Sequence, residues 1–367
     1  MKNIKEEISF EEFGVFTKEL WIKAVTRELK DSPLSALDIK AGNSALSPIY
    51  IKGEGPDIEV SDGKSDNDWL IAESFRYTND PVGLNLGIME ALNGGTEALI
   101  LENIDHTGLN ALDAILHDVD LRFLHTAFQC SSGKKYPDII SILKGLINSR
   151  GWNPEEVNGI IHSDPAIEEG DVINARNDLP GFRFIGIHCP EGLQIIDQLV
   201  FIAKALVDVI EKYDKVPLRQ LIDCLYIQIH IGSILLDEIA KIRSLKIIIA
   251  NIIKLSDPND PVIMPLITAR TDASAYTEDE YYNMIPAATQ ALSAILGGVD
   301  RLVITPSDSF ISDPKPLNRR IARNVQHLLK MESLTDRVAD PAGGSYYLDQ
   351  MTNLFVADAW SQLQSPQ

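Results

Sequence analysis

From Trp69 onward, short apolar runs of strand length alternate with longer stretches whose apolar residues recur every three or four positions. The runs are Glu97–Leu101, Leu121–Ala127, Gly159–His162, Phe182–Cys189, Leu225–Ile231, Val262–Thr268, Arg301–Thr305 and Arg337–Ala339. Each is followed by a helical pattern or by room for one. Eight strand-then-helix units in roughly 270 residues match the count and length of a (β/α)8 TIM barrel. A doubly wound sheet would need a glycine-rich phosphate loop after its first strand, and Glu102-Asn103-Ile104-Asp105 supplies none.

Helix boundaries agree with that count. Ser233 to about Ile249 places Ile234, Leu235, Ile239, Ile242 and Leu245 on one side. Thr277-Glu278-Asp279-Glu280 has capping-box spacing, and its helix can run to Gly297-Gly298, with Pro286 kinking it or splitting off its first turns. Asp313 and Pro314 suit an N-cap and a first helical residue, followed by Leu317, Ile321, Leu328 and Leu329 at helical spacing. Gly343-Gly344 after the last strand fits a tight loop and equally a set of backbone N–H groups for a phosphate.

Residues 1–68 form a separate head, and residues 69–367 the barrel. Phe10 to Leu29 is an amphipathic helix with Phe13, Phe16, Leu20, Trp21, Ala24 and Val25 on one face. Asp31–Asp68, rich in Gly, Pro, Ser and Asp, follows as an extended arm. Such a helix and arm either grip another chain or pack on their own barrel.

Composition narrows the function classes. A net charge of −20 over 367 residues, with no basic stripe, excludes a nucleic-acid partner. No apolar run spans a bilayer and the N-terminus lacks a signal-peptide core, so a cytoplasmic location without membrane contact is expected. Cys130, Cys189 and Cys224 are too widely spaced for a CxxC metal site, and no other spacing suggests a protein-bound metal.

In a barrel of this kind, chemistry gathers at the C-terminal ends of the strands. Those ends offer His125 and Gln129, His162 to Asp164, His188, His230, Arg270-Thr271-Asp272, Ser307-Asp308 and Asp340. For each histidine, a hydrogen-bonded filler of the interior competes with a catalytic role. His162-Ser163-Asp164 has the residue types of a hydrolase triad, but neighbours on a strand point to opposite faces and cannot assemble one. An aldolase would want a lysine at a strand's C-terminal end, and none of the predicted strands has one.

The closing stretch RRIARNVQHLLKMESLTDRVADPAGGSYYLDQMTNLFVADAW, Arg319–Trp360, resembles the end of the barrel domain in the methylmalonyl-CoA mutase family. Glu238-Ile239-Ala240-Lys241-Ile242-Arg243, Ala269-Arg270-Thr271, Tyr282-Asn283-Met284 and Gly297-Gly298-Val299-Asp300 extend the likeness. FxxFxKExW at 10–21, SPIY at 47–50 and Trp69–Glu73 with Asn79-Asp80 resemble the small (beta) subunit in particular.

The resemblance implies a barrel that encloses the pantetheine of an acyl-CoA, with adenosylcobalamin laid over the mouth by a separate domain. The chemistry is then a radical isomerisation of methylmalonyl-CoA and succinyl-CoA in a site that excludes water. His188, in Gly186-Ile187-His188-Cys189-Pro190-Glu191, matches the histidine that hydrogen-bonds the thioester carbonyl. Arg270 and Thr271 match a substrate-contacting strand end, although Ala273 replaces a serine. The active subunit's TMYxxRPWxxRxY and HTNSxDEA segments and the cobalamin motif DxHxxG have no counterpart, so no cobalamin-binding domain is expected here. The implied role is a non-catalytic small subunit whose large partner supplies the cofactor site. The competing role is an active acyl-CoA isomerase barrel whose cobalamin domain lies on a separate chain. For the silent form, bulky side chains should plug the axis, with Tyr226, Gln228, His230 and Phe123 as candidates.

Overall fold

The computed structural model describes residues 14, 17–42, 44–55, 64–104, 107–130, 136–162, 168–259, 261–309 and 314–365. Phe10, Phe13, Phe16, Asp105, Ser163, Asp164 and Asp313, named above, lie outside the described residues.

The arm carries helix α1 (Lys18–Leu29) and a small antiparallel hairpin, β1 (Ile39–Ala41) with β2 (Ser44–Leu46). The barrel strands follow as β3 (Leu70–Arg76), β4 (Ala98–Glu102), β5 (His125–Gln129), β6 (Asn158–His162), β7 (Phe182–Arg183), β8 (Ile185–His188), β9 (Leu225–Ile231), β10 (Leu266–Thr271) and β11 (Arg301–Val303). All pair in parallel, in the order β7-β6-β5-β4-β3-β11-β10-β9-β8. The two ends of that order, β7 and β8, are consecutive in the chain and separated only by Phe184. They are therefore one interrupted strand, and the sheet is a closed ring of eight: a (β/α)8 barrel. At the interruption the amides of Phe184 and Ile185 both donate to the Cys224 carbonyl, at 2.9 and 3.0 Å.

Around the ring pack α2 (Pro81–Asn93), α3 (Leu109–Ile115), α4 (Tyr136–Ser149), α5 (Glu169–Asp178), α6 (Ile195–Lys212), α7 (Leu218–Asp223), α8 (Leu235–Ser256), α9 (Met284–Gly297), α10 (Pro316–His327) and α11 (Tyr346–Gln364). The outward strand residues, including Leu99, Leu101, Phe128, Ile161, Ile187, Ile227, Ile229, Ile267 and Leu302, join the main core beneath these helices. Strand alternation then sends the other half of each strand into the bore.

Several strands sit elsewhere than their apolar runs predict. The first barrel strand is Leu70–Arg76, which the pattern did not mark. Arg337–Ala339, expected as the eighth, forms bends, with Val338 exposed. The run from Val262 becomes a strand only at Leu266, because Pro265 has no N–H for the ladder. Leu121–Phe123 is a 3-10 turn capped by Asp120, and it throws Phe123 into solvent at 81% exposure. Phe123 therefore does not fill the axis.

The helices follow the expected logic with shifted ends. Helix α10 starts with Pro316 at its first position, two residues later than predicted, and α9 begins after the turns at 277–283 and ends on the left-handed Gly298. The buried charges of the EIAKIR stretch in α8 are fasteners. Arg243 pairs with Asp340 and, at 2.7 Å, with Asp349 of α11. Lys241 pairs with Glu238 and donates to the His230 carbonyl at 2.7 Å. Gly343-Gly344 makes the turn from Asp340 into α11, where Gly344 takes a left-handed φ of 82°.

The arm divides in two. Its hairpin buries Ala41 and Leu46, and Tyr50 of the SPIY stretch meets Tyr347 of α11 at 6.1 Å between ring centres. Helix α1 buries none of its residues.

Candidate functional site at the C-terminal mouth of the barrel

Register fixes which residues share the bore. In the middle, Ala72, Ala98, Ile100, Ala127, Ile160, Tyr226 and Val303 form one buried apolar cluster, flanked by Leu70 and Leu266. Tyr226 is the largest of them and is 1% exposed. It stands opposite Gly186 across the β8–β9 ladder, and a Cβ on Gly186 would collide with the Tyr226 hydroxyl. Small residues on facing strands leave the volume that this ring fills.

Above Tyr226, toward the C-terminal mouth, lie His162, His188 and His230. The rings of His162 and His188 stack with centroids 4.0 Å apart and planes inclined by 16°. His188 Nε2 and the Tyr226 hydroxyl share a 2.9 Å hydrogen bond, one donating and the other accepting according to the histidine tautomer. Burial, reinforced by the neighbouring His162, His230 and Arg270, pulls the His188 pKa down to about 3. Burial also lowers His230, with Glu191 opposing. His188 and His230 are therefore neutral at pH 7, and they serve as hydrogen-bonding groups without charge.

The mouth's inward cation is Arg270, and it is engaged. Its Nη2 donates to Glu102 Oε1 at 2.7 Å and lies 3.3 Å from Ser74 Oγ, while the Ser74 hydroxyl donates to the same carboxylate. Burial works to raise the Glu102 pKa, but Arg270 and Ser74 outweigh it and hold the carboxyl below its ordinary range. Thr271 does not join this group. It belongs to the outward half of β10, where its hydroxyl accepts from the Thr305 amide at 2.8 Å and its carbonyl accepts from the Thr305 hydroxyl.

The other strand-end candidates separate. His125 opens β5, so it lies at the N-terminal end of the bore, where burial and then Arg301 and Arg183 bring its pKa to about 4. Ser307 and Asp308 are buried loop fasteners: the Ser307 carbonyl accepts from Asn283 Nδ2 and Asp308 Oδ2 accepts from the Lys315 amide, both at 2.8 Å. Asp272 caps the following 3-10 turn. Glu102 and Ser74 were not singled out by sequence reasoning. A carboxylate closing the apolar run Ala98–Leu101 was the available signal.

The mouth histidines do not suit a corrin. His162 and His188 stack on one another inside the bore, the His188 Nε2 is held by Tyr226, and His230 Nδ1 lies 3.4 Å from Glu191, so these imidazoles are already engaged. Tyr226 and its apolar neighbours occupy the axis beneath these histidines. Among the described residues no group of three histidine, cysteine or carboxylate side chains could hold a metal ion, and no helix is long and apolar enough to cross a membrane.

Residues 218–365 match the family model for methylmalonyl-CoA mutase. The methylmalonyl-CoA mutase small subunit of Porphyromonas gingivalis is 24% identical, covering 98% of this chain and 64% of that protein. The probable methylmalonyl-CoA mutase small subunit of Mycobacterium bovis is 25% identical, covering 92% of this chain and 61% of that protein. The large subunit from P. gingivalis is 33% identical, over 35% of this chain and 18% of its own length. The chain thus spans less than two thirds of the length of the curated small subunits it matches.

Proposed function

We propose, on the premise that this chain belongs to the methylmalonyl-CoA mutase family and resembles its small subunits over nearly its whole length, that it is a non-catalytic barrel supporting a large catalytic subunit. In that reading the large subunit receives the acyl-CoA and carries the adenosylcobalamin that supplies the radical, and this chain contributes shape and contact surface. The division at residue 68 has a functional sense: the head meets the partner and residues 69–367 form the silent barrel.

The observation that carries the reading is Tyr226. In a barrel whose ligand threads the axis, the axis must be hollow, and here a buried aromatic ring joins one apolar cluster drawn from strands around the bore. A filled bore of this kind is a packed core. Helix α1, with Trp21, Ile22 and Val25 only half covered and no residue buried, supports contact with a second chain.

The isolated chain should therefore show no saturable binding of methylmalonyl-CoA or succinyl-CoA by calorimetry, and it should elute as a heterodimer when mixed with a family large subunit. Micromolar acyl-CoA association by the chain alone would overturn the reading. The competing role, an active isomerase barrel with its cobalamin domain on another chain, draws on His188 and Arg270 both facing the mouth. Turnover by this chain with adenosylcobalamin and a cobalamin-binding partner would establish it instead.

A further inference from the structure

The mouth of the bore holds an arginine among imidazoles, and the chain supplies that arginine with its own carboxylate. Arg270 leaves the end of β10 and Glu102 the end of β4, with β3 and β11 between them in the ring. Their contact therefore bridges the mouth from one side to the other, with Ser74 of β3 beneath it. The two side chains remain 24% and 25% exposed, so they stand on the solvent side of the Tyr226 plug.

The contact is also single-pointed. Among the described residues, Nη2 is the Arg270 nitrogen that meets both Glu102 and Ser74. Guanidinium and carboxylate pair best as a two-pronged fork, and a free acid could present both oxygens where Glu102 presents one. Around Arg270, the neutral rings of His188 and His230 and the inward amides of Gln129 and Gln228 offer hydrogen bonds to the rest of a short polar acid.

We propose that Glu102 is a resident pseudo-ligand: it occupies the carboxylate position of a latent small-acid site on Arg270, and its presence makes the mouth refuse carboxylates. The assignment rests on the mouth alone and holds with or without a large-subunit partner. Glu102 acts here on specificity and leaves the bore as it is.

The test uses the full chain, with malonate as the acidic probe and malonamide as its neutral counterpart, followed by titration calorimetry or histidine NMR shifts. Wild-type protein should show no saturable malonate binding. E102Q keeps the size of the side chain and removes its charge, and E102S cannot span the distance to Arg270. At least one of them should bind malonate about tenfold tighter or more, roughly the worth of one desolvated charge-assisted contact. Malonamide binding should not change, and the gain should vanish when R270M is added to whichever of the two variants shows it. Thermal melting establishes that each variant is folded. Malonate binding by wild type as tight as by the variants, no gain in either folded variant, or a gain that survives loss of Arg270 would each overturn the proposal. Neither probe contains coenzyme A, so failure here leaves the acyl-CoA experiment standing, and the converse also holds.

Discussion

Two arginines on neighbouring strands point into the same bore in opposite electrical settings. Arg270, near the mouth, has a carboxylate at 2.7 Å and some access to water. Arg301, at the other end, is 2% exposed and rests on the Thr268 hydroxyl, which lies 3.2 Å from its Nε and 3.0 Å from its Nη2; its Nη1 has no hydrogen-bond partner among the described residues. Asp300, beside it in sequence, is engaged by the Ile267 amide and by Lys64. Burial accordingly draws the Arg301 pKa down to about 10. The difference separates two uses of one residue type. A paired cation that water can reach has the makings of a binding site, whereas a sealed and poorly compensated one is a burden the fold carries for volume and shape.

Tyr226 is the wall between these settings, and removing it is the severest way to break the contrast. Tyr226→Ala should lower unfolding free energy by about 3–5 kcal/mol in urea titrations, the usual scale for emptying a buried aromatic site. It should also admit solvent to Arg301. A loss far below that range would mean that the bore collapses easily and that the plug matters little.

Exchanging each arginine for methionine sharpens the comparison. Arg301→Met removes a sealed charge and should raise stability by about 1–2 kcal/mol. Arg270→Met leaves Glu102 without its partner at a partly wet site and should lower it by about 1 kcal/mol or less. Thermal or chemical unfolding reads both. Equal losses from the two substitutions would show that the surroundings do not distinguish them.

The smallest effect at neutral pH lies with the histidines. His188 and His125 titrate near 6.5 when unfolded and at about 3 and about 4 when folded. Between those values the unfolded chain binds protons that the folded chain refuses. Stability is thus complete above about pH 6.5 and declines as pH falls toward 4 and then 3. His188→Gln and His125→Asn should each flatten that acid limb while leaving pH 8 stability less affected, measured as unfolding midpoint against pH.

How far the sequence reveals this arrangement depends on where each residue's partner lies. Leu225–Ile231 is legible because every second residue, Leu225, Ile227, Ile229 and Ile231, is apolar and buried under the helix layer, the period-two pattern of a strand. Leu70–Arg76 is not, because its outward Glu73 breaks the apolar run. That glutamate is paired with Arg319 and Arg323 of α10, at 3.2 and 2.8 Å and about 250 residues away in the chain, and it also accepts from the Thr96 hydroxyl. His188, Arg270 and Tyr226 could be named from strand ends and resemblance. Ser74 and Glu102 acquire meaning only when the ring closes and brings β3 and β4 round to β10. His125 was misplaced for a local reason: the turn at Leu121–Phe123 delays β5 and moves the histidine from one end of the bore to the other.

The skipped rung at Phe184 has a mechanical consequence. Where other neighbours in the circle are stitched by three to six aligned pairs, β6 and β7 share two. A hoop parts first at its thinnest clasp, and this one sits between β6 and β8, the strands that bear His162 and His188. Any breathing of the circumference would therefore pull the two stacked imidazoles apart before it disturbed the Arg270 side.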